Sequence, residues 1–377
     1  MPRFAPVPLL RKVFTFMLAS AASLLAAAAP VQVDLVAAWP EHAVALVDRP
    51  VGRVERNAGA VGWRYQWPGT YFEARFAGAD VWVDLGAGQK HARVAIDGHS
   101  VADLVRPQAR VLHINGLAAG EHDVRVDIVS ESADGVQTFG GFAVATRART
   151  RTPQPRKRAI EFIGDSYTVG YAAASTAREC SEDEVWRSTD TSLAFGPQVA
   201  HRFGADYRIL AISGRGMVRN FMNGPGDTMP TAYDRLLPAD DLAAADDPAW
   251  SPQLIVIGLG TNDFSTPVGA GEPWRDGAAL SAAFEWRYVE FARALHHRHP
   301  CARMLLLASD AGDGAAERAI RRVQTRLAGE GIAVGEVFAL GPLALDACNW
   351  HPSRADQAAI ARRLVPAIAR LMPDWHS

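Results

Sequence analysis

The chain has 377 residues, and one hydrophobic core rarely grows past about 250–300 residues, so we expect two domains. Its residues are 49% hydrophobic and 21% charged, which is typical of a globular protein and excludes a disordered one. The formal net charge of −2 gives no electrostatic reason to bind nucleic acid or an anionic membrane, so we expect neither as a partner.

The first residues have the pattern of an export signal. Arg3, Arg11 and Lys12 precede an apolar stretch that ends in four alanines before Pro30. This order of charged, apolar and small-residue regions is typical of a signal peptide. A membrane anchor is the alternative, but the apolar stretch is short and rich in alanine. We predict a signal peptide over residues 1–29 and a mature protein exported to the periplasm or the extracellular space.

The cysteines and a histidine cluster raise the question of a metal site. Cys180, Cys301 and Cys348 allow at most one internal disulfide, and the sequence leaves the pair open. None forms a Cys-x-x-Cys pair, which argues against structural zinc. The cluster His296-His297-Arg298-His299 ends a predicted helix, where cationic side chains suit the helix dipole. We predict no metal.

Residues 33–146 alternate between apolar and polar with period two. The alternation is clear in Tyr71–Phe76, Val81–Leu85 and Val124–Ile128, and Asp97-Gly98 is a good hairpin turn. Many short strands at regular spacing predict a β-sandwich, jelly-roll-like, over this range.

Residues 147–158 are basic and contain two prolines. A localisation signal or a nucleic-acid patch is one interpretation of such a stretch. In an exported protein a solvated interdomain linker is favoured, and we predict a linker here.

Residues 159–377 alternate short apolar runs with helical patterns. The apolar runs lie at 160–163, 208–212, 254–258, 304–308 and 332–337. The last helix begins at Ser353, where Asp356 completes a pattern like a capping box. Strands alternating with helices predict an α/β domain with a doubly wound parallel sheet.

Four polar or small residues follow strands of this predicted sheet. They are Ser166, Gly214, Asn262 and His351. The carboxyl ends of parallel strands meet at one edge of a sheet, so we expect these residues to converge. A serine attacks an acyl carbon once a base takes its proton, and His351 is the candidate base. The N–H groups of Ser166 and Gly214 and the Asn262 amide are candidate donors to the resulting oxyanion.

Each of these residues also has a purely structural interpretation. Ser166 could cap the following helix, and Gly214 could be only a turn glycine. Asn262 could form an Asx-type cap, and His351 could be an ordinary loop histidine. Their joint occurrence, one after each strand, favours the catalytic interpretation.

At this point the sequence resembles a known family. Gly164-Asp165-Ser166, Gly214, Gly260-Thr261-Asn262-Asp263 and His351-Pro352 are similar to the four blocks of the SGNH (GDSL-type) hydrolases. Behind a β-sandwich, they most closely resemble carbohydrate esterase family 2, whose members join a jelly-roll domain to an SGNH domain and deacetylate plant polysaccharides such as xylan and glucomannan. The resemblance implies Ser166 as nucleophile, His351 as base, and Ser166, Gly214 and Asn262 as oxyanion donors, with no cofactor.

The chain departs from the family pattern before the histidine. SGNH hydrolases commonly have an aspartate three residues before it, where this chain has Cys348. Some family members use an aspartate two residues before it, where this chain has Asn349. We therefore predict a Ser–His dyad in which a main-chain carbonyl or the amide oxygen of Asn349 orients the ring of His351.

These features predict an exported serine esterase that removes O-acetyl groups from polysaccharide or oligosaccharide through an acyl-enzyme. Sugar rings lie well on flat apolar surfaces, and the candidate aromatic residues are Trp350, then Tyr167 and Trp274. One alternative is a lipolytic or thioester acylhydrolase of the same type. Another is a carbohydrate-binding protein with a vestigial esterase site.

Overall fold

The structure is a computed structural model that describes Met1 and residues 31–375, except for 59–60, 108–109, 133–134, 146–148 and 240–246. Apart from Met1, the predicted signal peptide lies outside the described residues. Within the described ranges, no helix has both the length and the apolar character needed to span a bilayer.

Fourteen strands of the described chain build the N-terminal domain. They are β1 Gln32–Val36, β2 Val44–Ala45, β3 Asp48–Val51, β4 Val54–Arg56, β5 Trp63–Tyr65, β6 Tyr71–Ala77, β7 Val81–Asp84, β8 His91–Ile96, β9 His99–Val105, β10 Val111–Asn115, β11 Glu121–Ile128, β12 Gln137–Phe139, β13 Gly141–Val144 and β14 Arg149–Arg151. One antiparallel sheet has the order β1-β10-β7-β13-β2, and the second has the order β14-β6-β11-β8-β9, with β3 also paired to β6. A small third sheet has the order β12-β5-β4.

The two large sheets share one apolar core, to which alternate residues of each strand contribute. Val83 of one sheet and Phe72 and Val126 of the other are fully buried in it. The turn Asp97-Gly98 joins β8 to β9, and both residues have positive φ, 52° and 79°, as a two-residue hairpin of type I′ requires. Period-two alternation thus builds the predicted sandwich.

The C-terminal domain has five parallel strands and eight helices in the described residues. The strands are β15 Arg158–Gly164, β16 Ala205–Ala211, β17 Leu254–Gly258, β18 Arg303–Ala308 and β19 Phe338–Ala339. The helices are α1 Ser166–Val169, α2 Glu182–Ser188, α3 Phe195–Arg202, α4 Met229–Ala232, α5 Thr261–Phe264, α6 Gly277–Arg298, α7 Ala315–Gly329 and α8 Arg354–Leu371.

The parallel sheet has the order β16-β15-β17-β18-β19 and is covered on both faces. Ile255 and Ile257 of β17 face the core formed with α6 and α7. Leu254 and Val256 of the same strand face the core formed with α3 and α8. A strand that is buried on both faces carries a continuous apolar run, which is why these strands were recognisable. The predicted doubly wound fold is confirmed.

The position of the fifth strand was predicted wrongly. In the predicted run 332–337 only Val334 pairs, through an isolated bridge to Met304. Regular pairing with β18 begins later, in β19. Gly335, against which Leu305 and Leu371 pack closely, interrupts the apolar run.

The predicted linker over residues 147–158 is exposed over most of its described part, but it also contains a strand. Strand β14 pairs with β6 as an edge strand of the sandwich. Arg156 then binds Asp206 through its main-chain N–H and its guanidinium, at 3.0 and 2.7 Å. Edge strands commonly carry charged side chains, which prevent pairing with further strands. The basic composition of this segment is therefore compatible with an edge strand, although it was predicted as a linker.

The two domains are held together around Asp206 at the start of β16. Its carboxylate also accepts hydrogen bonds from Arg49, at 2.9 Å, and from the Tyr71 hydroxyl, at 2.6 Å, both in the sandwich. Gly69 of the sandwich lies so close to Ile209 that a Cβ there would come within 2.8 Å of its side chain. The sandwich therefore packs directly against the parallel sheet.

Candidate active site

Ser166 lies at the carboxyl end of β15 and is the first residue of helix α1. The N-cap of α1 is Asp165, whose carboxylate accepts the Tyr167 N–H at 3.0 Å. The alternative that Ser166 merely caps the helix is therefore wrong. Gly164 makes the tight turn before it, since a Cβ there would lie 2.0 Å from the Thr168 hydroxyl.

His351 is brought to Ser166 from the other end of the domain. Its Nε2 lies 3.0 Å from Ser166 Oγ. Its Nδ1 lies 3.1 Å from the Cys348 carbonyl oxygen and 3.0 Å from that of Asn349. Because two acceptors face Nδ1, this nitrogen carries the hydrogen and Nε2 is left to accept the serine proton.

The side chain of Asn349 turns away from the imidazole and donates to the Tyr171 hydroxyl at 3.0 Å. We predicted that either a main-chain carbonyl or the Asn349 side chain orients His351. In the structure, main-chain carbonyls contact the ring and the Asn349 side chain does not. The ring centroid of Tyr171 lies 4.2 Å from that of His351, and the ring centroid of Tyr167 lies 5.8 Å from it in an edge-to-face arrangement. Tyr171 was not singled out from the sequence, although it closes the segment that contains the nucleophile.

Burial lowers the pKa of His351 below its usual value of about 6.5, although the hydrogen bonds to the Asn349 and Cys348 carbonyls oppose this effect. The imidazole is therefore neutral at neutral pH, which is the form that accepts a proton.

Two cysteines and an arginine fix the loop that carries His351. Cys180 and Cys348 form a disulfide across 168 positions, while Cys301 is free and exposed. The guanidinium of Arg178 donates to the Ala344 and Leu345 carbonyls at 2.8 and 2.9 Å. The main-chain oxygen of Arg178 accepts the Asn349 N–H at 2.6 Å. Arg178 could not be identified from the sequence, because its partners, two main-chain carbonyls and the Asp346 carboxylate, lie 166 to 168 positions away.

Gly214 lies in a turn that follows β16. The Arg215 N–H donates to the Ile212 carbonyl at 3.2 Å, and Gly214 has a φ of 79°. This is the position of a type II turn that requires positive φ and so favours glycine. Among the described residues, the main-chain N–H groups of Gly214 and Ser166 have no protein acceptor.

Asn262 is the second residue of α5, whose N-cap is Gly260, so the Asx-cap alternative is wrong. Its amide nitrogen donates to the Arg215 carbonyl at 2.8 Å. The other amide contact, to the Asp165 carboxylate, is 3.4 Å long and therefore weak. The Asn262 amide hydrogen that faces Asp165 is therefore available to a stronger acceptor.

Two buried carboxylates support these loops. Asp263 accepts the main-chain N–H groups of Met217, Val218 and Arg219 at 2.8–2.9 Å. Burial raises the pKa of Asp263 to about 6, against the effect of these donors. Burial, together with the charge of Asp263, raises the pKa of Asp165 to about 7. Asp263 appeared in the sequence only as part of a family block; its role as an acceptor for a distant loop required the structure.

The three candidate aromatic residues differ in placement. Trp350 is 56% exposed and immediately precedes His351 in the loop that holds the imidazole. Tyr167 is half-buried beside the ring of His351. Trp274 packs against the hydrophobic core beneath α6. In the described ranges, no group of three or more His, Cys, Asp or Glu residues is placed to hold a metal ion.

Known families match both domains. The carbohydrate esterase 2 N-terminal family matches residues 50–153. The GDSL-like Lipase/Acylhydrolase family matches residues 162–371, which is more than half of the chain. The chain belongs to carbohydrate esterase family 2. The predicted family and the two-domain SGNH fold are thereby confirmed.

Individual relatives agree with this family. An acetylxylan esterase/glucomannan deacetylase of Cellvibrio japonicus (strain Ueda107) is 35% identical over 317 residues, which are 84% of this chain and 88% of the relative. A solved carbohydrate esterase, described as having divergent catalytic and non-catalytic binding functions in its active site, is 33% identical, with a TM-score of 0.79. That alignment covers 88% of this chain and 100% of the other chain.

A family 2 carbohydrate esterase of Corynascus thermopiles (Myceliophthora fergusii), which carries a carbohydrate-binding domain, is 28% identical, with a TM-score of 0.72. It covers 87% of this chain and 100% of its own. The prediction of a carboxylic ester hydrolase of the carbohydrate acetylesterase class is confirmed by these similarities.

Proposed function

We propose that this carbohydrate esterase removes O-acetyl groups from polysaccharide through an acyl-enzyme formed on Ser166. The observation that carries the proposal is the 3.0 Å contact between Ser166 Oγ and His351 Nε2, with Nδ1 held by two carbonyl oxygens. A neutral imidazole in this orientation is a general base for the serine hydroxyl.

The proposed reaction has two halves. Ser166 Oγ attacks the acetyl carbonyl carbon while His351 Nε2 takes the hydroxyl proton. The tetrahedral oxyanion accepts hydrogen bonds from the main-chain N–H groups of Ser166 and Gly214 and from the amide of Asn262. The C–O bond to the sugar breaks, and His351 returns its proton to the leaving oxygen. Water, deprotonated by His351, then attacks the acetyl carbonyl carbon of the acyl-enzyme; the bond to Ser166 Oγ breaks, His351 returns the proton to that oxygen, and acetate leaves.

The orienting groups in this dyad are neutral. Carbonyl oxygens fix the tautomer of His351 and accept its hydrogen bond, but they stabilise the imidazolium less than a carboxylate does. The proposal therefore places more of the catalysis on the oxyanion donors, each of which is worth about 10²–10³ in rate in comparable enzymes.

The choice of an acetylated polysaccharide rests on the similarity to the acetylxylan esterase/glucomannan deacetylase and on exposed Trp350 beside the site. A flat, exposed indole suits the face of a sugar ring. Export is supported by the signal-like pattern of residues 1–29 and by the disulfide, which is typical of oxidising compartments. Cell fractionation with N-terminal sequencing of the mature protein tests it. In this proposal the sandwich predicted over residues 33–146 also includes Gln32 and the edge strand β14, and the catalytic domain predicted over residues 159–377 begins with β15 at Arg158.

One observation favours a second candidate, a lipolytic or thioester acylhydrolase. Phe221 and Met222 are exposed apolar residues on the segment that follows the oxyanion turn. The Phe221 N–H donates to the Gly214 carbonyl at 2.8 Å, so this segment lies directly beside the turn. A longer acyl chain would find apolar surface there.

The proposal is tested by the release of acetate from acetylated xylan, acetylated glucomannan and peptidoglycan, alongside aryl esters of increasing chain length. We expect acetate from the plant polysaccharides and a preference for aryl acetate over longer acyl chains; the reverse preference supports the second candidate. Ser166→Ala should reduce turnover by at least about 10⁴-fold while polysaccharide binding persists. Binding without any turnover by the unaltered protein would instead indicate a vestigial site.

A further inference from the structure

The sandwich domain reaches the catalytic domain through a loop that follows β11. The Glu131 carboxylate accepts the main-chain N–H of Ser213 at 2.8 Å. Ser213 immediately precedes Gly214 and forms, with it, the centre of the turn from Ile212 to Arg215. A side chain of one domain therefore holds the turn of the other domain that carries a proposed oxyanion donor.

The base of this loop is anchored to both domains. The Val129 carbonyl accepts the main-chain N–H and the hydroxyl of Thr191 at 2.9 and 3.1 Å, and Thr191 belongs to the catalytic domain. The Ser130 hydroxyl accepts the His91 N–H of the sandwich at 3.1 Å. Ser130 is fully buried. The backbone that precedes Glu131 is therefore held in place by both domains.

The far side of the turn is fixed separately. The Arg215 carbonyl accepts the amide of Asn262, and the Gly214 carbonyl accepts the Phe221 N–H. Both contacts involve the second half of the turn and groups of the catalytic domain. Glu131 supplies the contact at its first half.

We propose that Glu131 is a positioning residue of the esterase, through which the sandwich domain sets the place of the Gly214 N–H in the oxyanion hole. This inference rests on the proposed role of Gly214. A donor stabilises the oxyanion only when it lies at hydrogen-bonding distance from where the charge develops. A displacement of about 1 Å costs up to about 10²-fold in rate, so an anchor on the adjacent residue controls turnover without touching substrate.

The contact requires an acceptor and not a charge. A main-chain N–H is neutral, and the amide oxygen of glutamine accepts its hydrogen bond as a carboxylate oxygen does. Removing the acceptor leaves the Ser213 N–H without a partner and the first half of the turn free to move. Glu131→Gln and Glu131→Ala are therefore a matched pair.

The control is an interdomain hydrogen bond far from the site. Tyr71 donates to Asp206 at the start of β16, whereas Ser213 follows the end of that strand. Seven residues at about 3.3 Å each separate the two contacts by about 20 Å. Tyr71→Phe weakens the same domain interface without touching the turn.

The experiment measures kcat and KM for an aryl acetate and the melting temperature of each variant. We expect Glu131→Ala to lower kcat about 10–100-fold with KM changed less than about threefold, and Glu131→Gln to stay within about threefold of the unaltered protein. Tyr71→Phe should lower the melting temperature but leave kcat unchanged.

Two results overturn the inference. One is a folded Glu131→Ala variant with unaltered kcat, and the other is a Glu131→Gln variant as impaired as Glu131→Ala. If Glu131→Ala does not fold, Glu131→Asp replaces it. Its side chain is one methylene shorter and does not reach the Ser213 N–H, so we expect the same fall in kcat. An unaltered kcat in this variant also overturns the inference. Loss of the proposed function itself is recognised separately, because the unaltered protein would then not turn over the ester.

Discussion

Two neighbouring residues beside the imidazole, Asn349 and Trp350, adopt the left-handed backbone region with φ of 54° and 55°. For residues other than glycine this conformation costs about 1–2 kcal/mol each. Strain of this kind persists only where the surroundings over-determine it, and it clusters at functional sites. Here the backbone bend turns the Cys348 and Asn349 carbonyls to His351 Nδ1.

The sequence predicted which residues meet at the site but left open what orients His351. The residue types and their order after each strand were sufficient to bring Ser166 and His351 together. The choice between the side chain and the main chain of Asn349 depends on its left-handed φ. That angle is imposed by contacts with Arg178 and Cys180, about 170 positions away, which no local pattern encodes.

Asn349→Ala tests whether main-chain carbonyls hold the ring. We expect kcat on an aryl acetate to fall less than about tenfold, because the side chain binds Tyr171 and not His351. Asn349→Gly is the matched variant, since it also lacks the side chain but accommodates positive φ. A loss of four or more orders of magnitude in both variants would show that the side chain orients the imidazole.

At the scale of elements, the strands and helices were predicted from the spacing of apolar residues along the sequence. Period two identified β6, β7 and β11, and apolar runs identified β15 to β18. The errors fall where another constraint outweighs the period. Gly335, which packs closely against Leu305 and Leu371, interrupts the apolar run at 332–337, and the fifth strand is β19 instead. The basic edge strand β14 was predicted as part of a linker.

The loop that carries His351 depends on the disulfide between Cys180 and Cys348. A crosslink that closes a loop of this length stabilises the fold by about 5 kcal/mol in the chain-entropy treatment. We expect the double variant Cys180→Ser/Cys348→Ser to lose more than stability: its kcat on an aryl acetate should fall about 10-fold or more under conditions where it remains folded.

The free cysteine supplies the control for this double variant. Cys301→Ser removes an exposed thiol that is not crosslinked and should leave both kcat and the melting temperature unchanged. If the double variant retains full kcat at a temperature where circular dichroism shows it folded, the contacts of Arg178 alone hold the loop and the disulfide contributes only stability.

At the scale of the whole molecule, the sandwich and the catalytic domain form one unit. The composition and the apolar pattern of the sequence predicted both domains. The contacts between the domains could not be predicted from the sequence. Asp206, Arg156 and Glu131 are ordinary charged residues in the chain, and only the packing of one domain on the other brings them to their partners. The interface therefore contributes both stability and, as proposed, the position of an oxyanion donor.

Asp206 makes this interface sensitive to acid. Burial opposes its ionisation, but hydrogen bonds from Arg49, Tyr71 and Arg156 outweigh burial and lower its pKa from 3.8 to about 2. A carboxylate with a depressed folded-state pKa contributes stability that is fully present above the unfolded value and is lost as pH falls through the folded value. The contribution is about 2 kcal/mol at neutral pH and disappears between about pH 4 and pH 2.

Asp206→Asn tests this linkage by urea unfolding at pH 7, 5, 4 and 3. We expect the variant to be less stable than the unaltered protein by about 2 kcal/mol at pH 7 and 5, with the difference shrinking below pH 4. Glu317→Gln is the control, because the helical pair of half-buried Glu317 with exposed Arg321 is worth at most about 0.5 kcal/mol. A difference between Asp206→Asn and the unaltered protein that stays constant from pH 7 to pH 3 would show that the charge of Asp206 does not stabilise the interface.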